Sequence, residues 1–375
     1  MRKLSILCGL LLPLLFSCRE AYIPPNSSTA GSYLVVEGVI NAGGDSTTIK
    51  LSKTVSLTSK TTVNPVAGAT VMVENNQNGT TWALAGDGHG NYAAAALNLS
   101  AAAQYRLSIV TSDGAYVSDF VPVTATPPID SVGYRIESDG VHLYVSTHDP
   151  SNNARLYRWD FQETWIFHSE YDSGYIADTV NDMIVQRTAG QSIYYCFGTD
   201  ASSDILMAST KHLSKSAIYQ QPLTTIPFTS EKVENKYSIL VKQYALTDDA
   251  YTYYENLRKN TEQLGTIFST LPTELIGNIH STTNNSVPAV GYVSATNVQT
   301  KRIFIPNDVL PAVLVNYPYT CEVDTATIYE VANTFFYPPF NAVPIDRVPK
   351  GYVYSTIPCV DCTVRGTTKT PSFWK

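Results

Sequence analysis

The chain has 375 residues, enough for two domains that each bury a substantial core without metals or many disulfides. Only 15% of the residues are charged, the net charge is -7 and no basic stripe occurs, which argues against nucleic acid or an anionic bilayer surface as the main partner. Tyrosine is abundant, at 25 residues against 12 Phe and 4 Trp, and many Thr, Ser and Val accompany it. This composition favours half-exposed sheet surfaces and predicts a β-rich, mainly all-β fold.

The first residues have the features of an export signal. Arg2 and Lys3 precede an apolar run that is too short to span a bilayer as a helix. That run leads into Leu15-Phe16-Ser17-Cys18, which resembles the lipobox at which bacterial lipoprotein precursors are cleaved. We therefore expect residues 1–17 to be a signal peptide and Cys18 to carry acyl chains such as palmitate. The alternative is an ordinary secretory signal that happens to contain a cysteine.

A lipid on Cys18 predicts the location of the mature protein. Several acyl chains anchor a protein stably where a single chain is marginal, and no second apolar stretch of spanning length follows. Residues 18–32 combine Pro, Ser, Thr and Gly and predict a flexible linker. We expect a folded part tethered to the outer membrane, on its periplasmic face or at the cell surface.

Residues 33–125 are predicted to form an immunoglobulin-like or prealbumin-like β-sandwich. A β-branched run at 33–40 and an alternating run at 47–51 predict a first hairpin. Further along, one strand places three apolar side chains on one face: Tyr105, Leu107 and Ile109. The proline-containing stretch 121–130 is predicted to end this domain, because consecutive prolines cannot join a central ladder.

Part of this segment resembles a known type of module. The run Pro-Val-Ala-Gly-Ala-Thr-Val at 65–71 is followed by a Gly-Asn-Tyr turn and a Tyr-Arg-Leu-Ser-Ile strand. Together they resemble the carboxypeptidase-regulatory and prealbumin-like sandwich modules of exported bacterial proteins. The resemblance covers about a quarter of the chain and implies a spacer or docking domain.

Residues 126–375 are predicted to form a larger β-rich domain with one main helix. Thr247 can cap that helix, Asp248 and Asp249 suit its positive N-terminal end, and Gly265 can terminate it. Two alternating runs predict strands before the helix, with apolar faces at Val141, Leu143 and Val145 and at Tyr157, Trp159 and Phe161. Strand-like runs resume after the helix at 291–295, 302–305, 327–331 and 351–354.

A longer resemblance covers nearly the whole mature chain. The run Tyr-Ser-Ile-Leu-Val-Lys-Gln-Tyr-Ala-Leu at 237–246, the helix, and Gly-Tyr-Val-Ser-Ala at 291–295 resemble the Bacteroidota lipoproteins grouped as domain of unknown function family 4249. The ending with Cys359-Val360-Asp361-Cys362 and a final Pro-Ser-Phe-Trp fits the same family. The resemblance implies no known activity. It implies genomic neighbourhood with TonB-dependent outer-membrane transporters.

The cysteines predict two disulfides. Once Cys8 leaves with the signal and Cys18 is lipidated, four remain: Cys196, Cys321, Cys359 and Cys362. An even count in an oxidising compartment is typical of disulfides, and a four-cysteine zinc site is the rival interpretation. Three connectivities are open. We favour the two in which the closely spaced pair reaches back to Cys196 and Cys321, because a bridge within the pair closes too small a loop to stabilise much.

Candidate ligand residues have simpler explanations. Asp87, His89 and Asn91 alternate in a glycine-rich stretch, which suggests metal ligands but is more typical of a hairpin turn. Three histidines lie near acids in sequence: His142, His148 and His168 near Asp149, Asp160 and Asp172. No serine elbow, HExxH or P-loop motif occurs, so the sequence predicts no catalytic residue, cofactor or metal.

Two further patterns are weaker. Five aromatic residues could stack on a sugar, although tyrosines filling sheet faces are the commoner case: Trp165, Tyr171, Tyr175, Tyr194 and Tyr195. Four triplets resemble Bacteroidota O-glycosylation acceptors: Asp45-Ser46-Thr47, Asp130-Ser131-Val132, Asp178-Thr179-Val180 and Asp324-Thr325-Ala326.

These observations give three hypotheses of function. The first is a non-enzymatic outer-membrane lipoprotein that is an accessory or docking protein of a TonB-dependent transporter. The second is a surface lipoprotein that binds a carbohydrate or another nutrient. The third is a hydrolase whose site has no recognisable motif.

Overall fold

The structure, a computed structural model, describes residues 32–55, 59, 63–262, 275–284, 287–310 and 319–375. The predicted signal peptide, Cys18 and the linker up to residue 31 lie outside these residues, as does Gly265. The described chain is mainly β with one main helix, as the sequence predicts. None of its helices is long and apolar enough to cross a membrane.

The strands and helices follow one another in this order. The first are β1 (Leu34–Asn41), β2 (Thr47–Lys53), β3 (Thr70–Asn75), β4 (Thr81–Gly86), β5 (Asn91–Ala94), β6 (Gln104–Thr111), β7 (Gly114–Ser118) and β8 (Val121–Thr124). Next come β9 (Ile129–Glu137), β10 (Gly140–Asp149), β11 (Leu156–His168), β12 (Tyr175–Asp178), β13 (Met183–Gln186), β14 (Tyr195–Ala201), β15 (Leu206–Ser209), β16 (Ser216–Ile226), β17 (Lys236–Ala245) and helix α1 (Asp248–Glu262). The last are β18 (Ile279–Ser281), β19 (Ala289–Val290), β20 (Ala295–Thr296), β21 (Gln299–Pro306), β22 (Asp324–Thr327), β23 (Ala342–Val348), β24 (Gly351–Thr356) and the short helix α2 (Ile357–Val360).

The first sheet closes on itself with strands from far along the chain. Most of it consists of β6, β3, β4, β5, β2 and β1, hydrogen-bonded in that order. The short β20 pairs in parallel with β1 on one side and with β8 on the other, and β8 returns to β6. In addition, β19 pairs with β1 and β18 pairs with β7. The first unit is therefore completed by the strands β18, β19 and β20.

The return of β18 to β20 to the first sheet makes the domain organisation more complex than the predicted division into two consecutive segments. The proline-containing stretch 121–130 does separate β8 of the first sheet from β9 of the next. The two units are nevertheless not consecutive pieces of chain, because β18, β19 and β20 follow strands of the second unit in sequence and pair with the first unit. The boundaries 33–125 and 126–375 stay a prediction. They describe the passage of the chain from β8 to β9 but not its later return to the first sheet.

The second unit packs two sheets around one core. The strands β16, β10 and β9 form one sheet, and β14, β11, β17 and β21 form the other, with β15 beside β11. Trp159, Tyr237 and Phe167 are fully buried between them. The indole N–H of Trp159 donates to the amide oxygen of Gln243 at 2.8 Å, so the polar atom of this large ring is paired inside the core.

A smaller apolar cluster joins the two units. It contains Val39 of β1, Leu156 of β11, and Leu246 and Ala250 at the start of α1. The hydroxyl of Thr247 accepts the N–H of Ala250 at 3.3 Å, which confirms the predicted helix cap. The helix therefore begins at the junction and buries Ala250 of its first turn there, while Asp248 and Asp249 stay exposed.

Two sequence-predicted strands are shorter than expected. The predicted run 327–331 is wrong beyond Thr327, because a turn follows in which the N–H of Glu330 donates to the carbonyl of Thr327 at 2.8 Å. In the predicted run 291–295, only Ala295 belongs to a strand.

Candidate functional site

The apolar cluster that joins the two units is the junction. The strand β11 begins there, and a separate lobe lies at the other end of β11. It contains the hairpin of β12 and β13, the sheet β22-β24-β23, and the chain from α2 to residue 364. We call it the disulfide lobe, and we call the first and second units together the body. The strand β11 has 13 residues, from Leu156 in the junction to His168 at the lobe. At about 3.3 Å per residue it separates the lobe from the junction by ~40 Å.

Two disulfides hold this lobe. Cys196 of β14 is bonded to Cys362, with 5.7 Å between their Cα atoms, so this bridge fastens the lobe to the body. Cys321 is bonded to Cys359, at 5.6 Å, within the lobe itself. Each closely spaced cysteine thus reaches back to a distant one, as predicted, and all four sulfurs are taken. The rival zinc site has no thiolate left.

Backbone hydrogen bonds reinforce the attachment. The N–H of Cys362 donates to the carbonyl of Ile193, and that of Tyr171 donates to Cys359, both at 3.0 Å. The buried hydroxyl of Ser169 donates to the carbonyl of Val360 at 2.9 Å. The chain just after β11 is therefore fixed to the segment that carries the two bridges.

The lobe contains a cleft between two strand edges. Strands β12 and β23 meet where the N–H of Gly174 donates to the carbonyl of Ile345 at 2.8 Å. Next to this contact they enclose a cleft of about 410 Å³. Its two sides are Ile176, Ala177 and Thr179 on one and Ala342, Val343 and Pro344 on the other. A volume of this size is in the range of small-ligand sites, roughly 300–1,000 Å³.

The remaining lining is mostly apolar with one cation and one anion. Phe335, Phe340, Ile193 and Ile357 supply apolar surface, and Arg187 and Asp361 supply the charges. The guanidinium of Arg187 donates to the carbonyls of Gln191 at 2.9 Å and Tyr175 at 3.2 Å. Burial lowers the pKa of Arg187, and the negative charge of Asp361 opposes that shift. The arginine therefore braces the hairpin at the edge of the cleft.

Large apolar side chains are exposed on the disulfide lobe. They stand on the hairpin tip, on the turn after β22 and on the loop before β23: Val180, Met183, Ile328, Tyr329, Tyr337 and Phe340. Val180 and Tyr329 are the extremes, at 88% and 89% exposure. Concentrated exposure of this kind is typical of an interaction surface, whereas single exposed apolar residues need no explanation.

The predicted aromatic platform does not form a single plane. Tyr194 stacks on His168 at 4.9 Å, but Tyr195 meets Tyr194 edge-on at 73°. Tyr175 packs edge-on against Tyr352 in the lobe. The other two are occupied elsewhere, since Trp165 is buried and Tyr171 donates its hydroxyl to the carbonyl of Cys321.

The three histidines contact acids other than Asp149, Asp160 and Asp172, which lie near them in sequence. His168 lies 2.9 Å from Glu234, and this hydrogen bond raises the pKa of His168 above its ordinary value. His148 contacts Asp130 at 2.7 Å and His142 contacts Asp139 at 2.7 Å. They do not meet: His142 and His148 lie at opposite ends of β10, and His168 ends β11.

Asp149 and Asp160 contact groups close to them in sequence rather than the histidines. Asp149 accepts the backbone N–H groups of Ser151 and Ala154, and Asp160 lies 3.4 Å from Arg158. Beside His142, the carboxylates of Glu137 and Asp139 could contribute ligand atoms to a cation, and all three groups are within 4.8 Å of one another. Both acids are exposed at a hairpin turn, where such groups are common without a metal.

The glycine-rich stretch is a turn, as preferred from the sequence. One oxygen of Asp87 accepts the backbone N–H of His89 at 2.7 Å, and the other accepts the side-chain amide of Asn91 at 2.7 Å. These hydrogen bonds, that of Asn91 above all, lower the pKa of Asp87. The Ser or Thr of each glycosylation-like triplet is exposed, and its modification stays a prediction.

Sequence reasoning missed a buried charged network in the body. Glu163 is 4% exposed, accepts the hydroxyl of Tyr237 at 2.7 Å and pairs with Lys232 at 2.5 Å. Lys232 also contacts Asp200 at 3.0 Å. Burial lowers the pKa of Lys232, but these carboxylates raise it more. The alternation of β11 contained the signal, because Glu163 stands on the same inward face as Trp159 and Trp165.

The comparisons with known proteins identify the family. A family model described as Domain of unknown function (DUF4249) matches residues 20–302. The chain belongs to this family. The match includes the returning strands β18 to β20 and ends within β21, before the three later cysteines of the lobe.

Other comparisons add little to the family assignment. No curated protein matches the sequence. Among solved structures, the chicken CNTN1 FN1-FN3 domains align with 57% of this chain at 11% identity and a TM-score of 0.17. The alignment spans 62% of that chain, less than two thirds of its length. We therefore describe the fold of the DUF4249 chain from its own strand pairings and not from this alignment.

Proposed function

We propose that this DUF4249 chain is an outer-membrane lipoprotein, anchored through Cys18, that docks onto a TonB-dependent transporter as an accessory protein. The observation that carries the proposal is the concentration of exposed apolar side chains on the disulfide lobe. The lipobox-like sequence before Cys18 supports the anchor, and the family resemblance supports the class of partner. We further propose a Bacteroidota origin and a prealbumin-like character for the first sheet.

The positions of the linker and the lobe suit this role. The linker leads into Leu34, which begins β1, and β1 reaches the junction at Val39. From the junction, β11 leads away to the lobe. An anchor on the linker and a contact surface on the lobe would therefore act from opposite sides of the junction. The lobe would point away from the membrane surface or lie beside a protein that is embedded in the membrane.

The tether makes a modest interface sufficient. A lipid anchor and a short linker hold the chain near the plane in which a transporter lies, which raises its effective concentration there. Apolar and aromatic side chains then supply most of the binding energy at the centre of an interface. Tyr329, Ile328 and Tyr337 are exposed side chains of the kind that act as such anchors.

The experiment is recovery of the partner from membranes. The full chain with an affinity tag, extracted in mild detergent, should recover a TonB-dependent transporter in near-stoichiometric amount. The variant Tyr329→Ser with Ile328→Ser should lose most of it. The matched control is Tyr219→Ser on β16 of the body, where the ring is equally open at 81% exposure. Cys18→Ala should release the chain from the outer membrane.

Two outcomes contradict the proposal. Recovery of the lipoprotein alone, across several detergents and after cross-linking in intact cells, would exclude the accessory role. Outer-membrane partition of Cys18→Ala with mature mass would exclude the anchor.

A second function has one observation in its favour. Tyr195 is 53% exposed beside the stacked pair of His168 and Tyr194, and one open ring of this kind can stack on a sugar. Carbohydrate binding that is lost in Tyr195→Ala and kept in Tyr329→Ala would favour this alternative.

A further inference from the structure

The cleft of the disulfide lobe is bounded by two strands that are each paired on one side only. Within the described residues, β12 is hydrogen-bonded to β13 and β23 is hydrogen-bonded to β24. Just before β12, the N–H of Gly174 donates to the carbonyl of Ile345 and the hydroxyl of Ser173 donates to the carbonyl of Pro344, both at 2.8 Å. Among the residues that the structure describes, no backbone ladder between β12 and β23 continues from this contact. Each therefore directs part of its backbone N–H and C=O groups away from its own partner.

Unpaired strand edges are templates for another strand. They attract added chains unless they are covered, charged or twisted away. Neighbouring strands in a sheet lie about 4.8 Å apart, so an inserted strand can bond to one edge or bridge two. Here Ile176 and Ala177 line one side of the cleft, and Ala342 and Val343 line the other. None of these four carries a charge that would repel an incoming chain.

The apolar lining of the cleft suits one face of an extended chain. An extended peptide directs successive side chains to opposite faces. Phe335 is buried and lines the cleft together with Ile193 and Ile357, so this lining can accept apolar side chains from one face of such a chain. The opposite face would remain beside the exposed Val180 and Phe340 or in water. A segment with apolar residues at every second position fits the apolar lining with one face and the outer surroundings with the other.

We propose that the cleft binds an extended peptide segment by strand addition to the edges of β12 and β23. The inference rests on the proposed function in one respect, because it assigns the segment to the docked transporter. The two disulfides fit this role, since Cys321–Cys359 and Cys196–Cys362 hold the surroundings of the cleft before the peptide arrives. A preformed site of this kind loses less conformational freedom on binding.

The direct test uses purified chain and a capped hexapeptide in which valine alternates with threonine. Backbone amide signals of residues 176–179 and 342–345 should shift on titration and should then exchange more slowly with deuterium. The matched probe is the same peptide with alternate amides N-methylated, which keeps the side chains and removes the donors. It should bind about ten-fold more weakly, since a few backbone hydrogen bonds are lost.

Two variants fill the cleft from opposite sides. Ala177→Trp and Ala342→Trp should each weaken peptide binding by about ten-fold or more, because the ring occupies the volume of the added strand. Ala189→Trp is the control, since Ala189 is an exposed residue just after the β12–β13 hairpin and does not line the cleft. Unchanged deuterium exchange in β11 and β17 would show that the body of each variant is folded.

The outcomes separate this inference from the proposed function. Absence of peptide binding, or equal binding of the N-methylated peptide, overturns strand addition. The second result would identify the cleft as a pocket for apolar groups. If full-length Ala177→Trp and Ala342→Trp still recover the transporter as the unsubstituted chain does, the docking proposal stands and the cleft is not where it occurs.

Discussion

The body and the disulfide lobe are stabilised in different ways, the body by large apolar cores and the lobe by disulfides. The body buries large side chains such as Trp159, Tyr105 and Tyr237 in two cores. In the residue ranges that the structure describes, the buried apolar residues of the lobe are few and, apart from Phe335, small: Ala326, Phe335, Cys359, Val360 and Cys362. A small unit cannot bury enough apolar surface to offset its conformational entropy, and covalent bridges replace the missing core. Apolar side chains in the lobe are consequently available at its surface.

The comparison predicts that the largest effects follow changes in the body. Trp159→Ala should lower the free energy of unfolding by about 3–5 kcal/mol, because it leaves a cavity and removes the partner of Gln243. Urea denaturation followed by circular dichroism measures this. Tyr329→Ala in the lobe should change stability by less than about 0.5 kcal/mol, since its ring is 89% exposed. Equal losses in the two variants would break the distinction between body and lobe.

The sequence predicted the parts of the fold that depend on local signals. Thr247 with Asp248 and Asp249 defines the helix start, because a cap and charges in the first turn act within a few residues. The long strands β10 and β11 showed the period of two over many residues. Strands β19 and β20 have only two residues each, too few to show any period. Their return to the first sheet could not be predicted.

The candidate site was beyond sequence reasoning for a related reason. One side of the cleft is at residues 176–179 and the other at 342–344, and nothing in either segment indicates the other. The cysteines did indicate which segments approach one another, because two bridges among four residues allow few arrangements. They could not indicate that, in the described part of the chain, β12 and β23 are each paired on one side only.

Breaking one disulfide should loosen the lobe and leave the body intact. Cys321→Ser with Cys359→Ser removes the bridge within the lobe and should lower the lobe's local stability by about 2–4 kcal/mol. Deuterium exchange should accelerate at amides of β23 and β24 and stay slow in β11 and β17. Cys196→Ser with Cys362→Ser is the companion variant, and it should also expose the chain after His168 to proteases. If exchange rises throughout the molecule, the lobe and the body unfold as one unit.

The smallest predicted effect is at the boundary of body and lobe. His168 ends β11 there, and its hydrogen bond to Glu234 raises its pKa in the folded chain above the ordinary 6.5, with Glu170 adding a smaller favourable charge. Protonated His168 therefore stabilises the folded state below about pH 6.5, and this contribution is lost as pH rises through the raised folded pKa.

The test of this boundary is a difference between two pH profiles. The pair is partly open to solvent, so its contribution should be on the order of 1 kcal/mol or less. Protection of the amides of Ser169 and Tyr171 against exchange, corrected for intrinsic rates, should decline from pH 6 to pH 8. The variant Glu234→Gln should flatten that decline, because the neutral amide no longer favours the imidazolium. His148→Gln, which removes an exposed pair with Asp130 in the body, should leave it unchanged. An equal decline in Glu234→Gln would show that His168 does not set the pH response of the lobe.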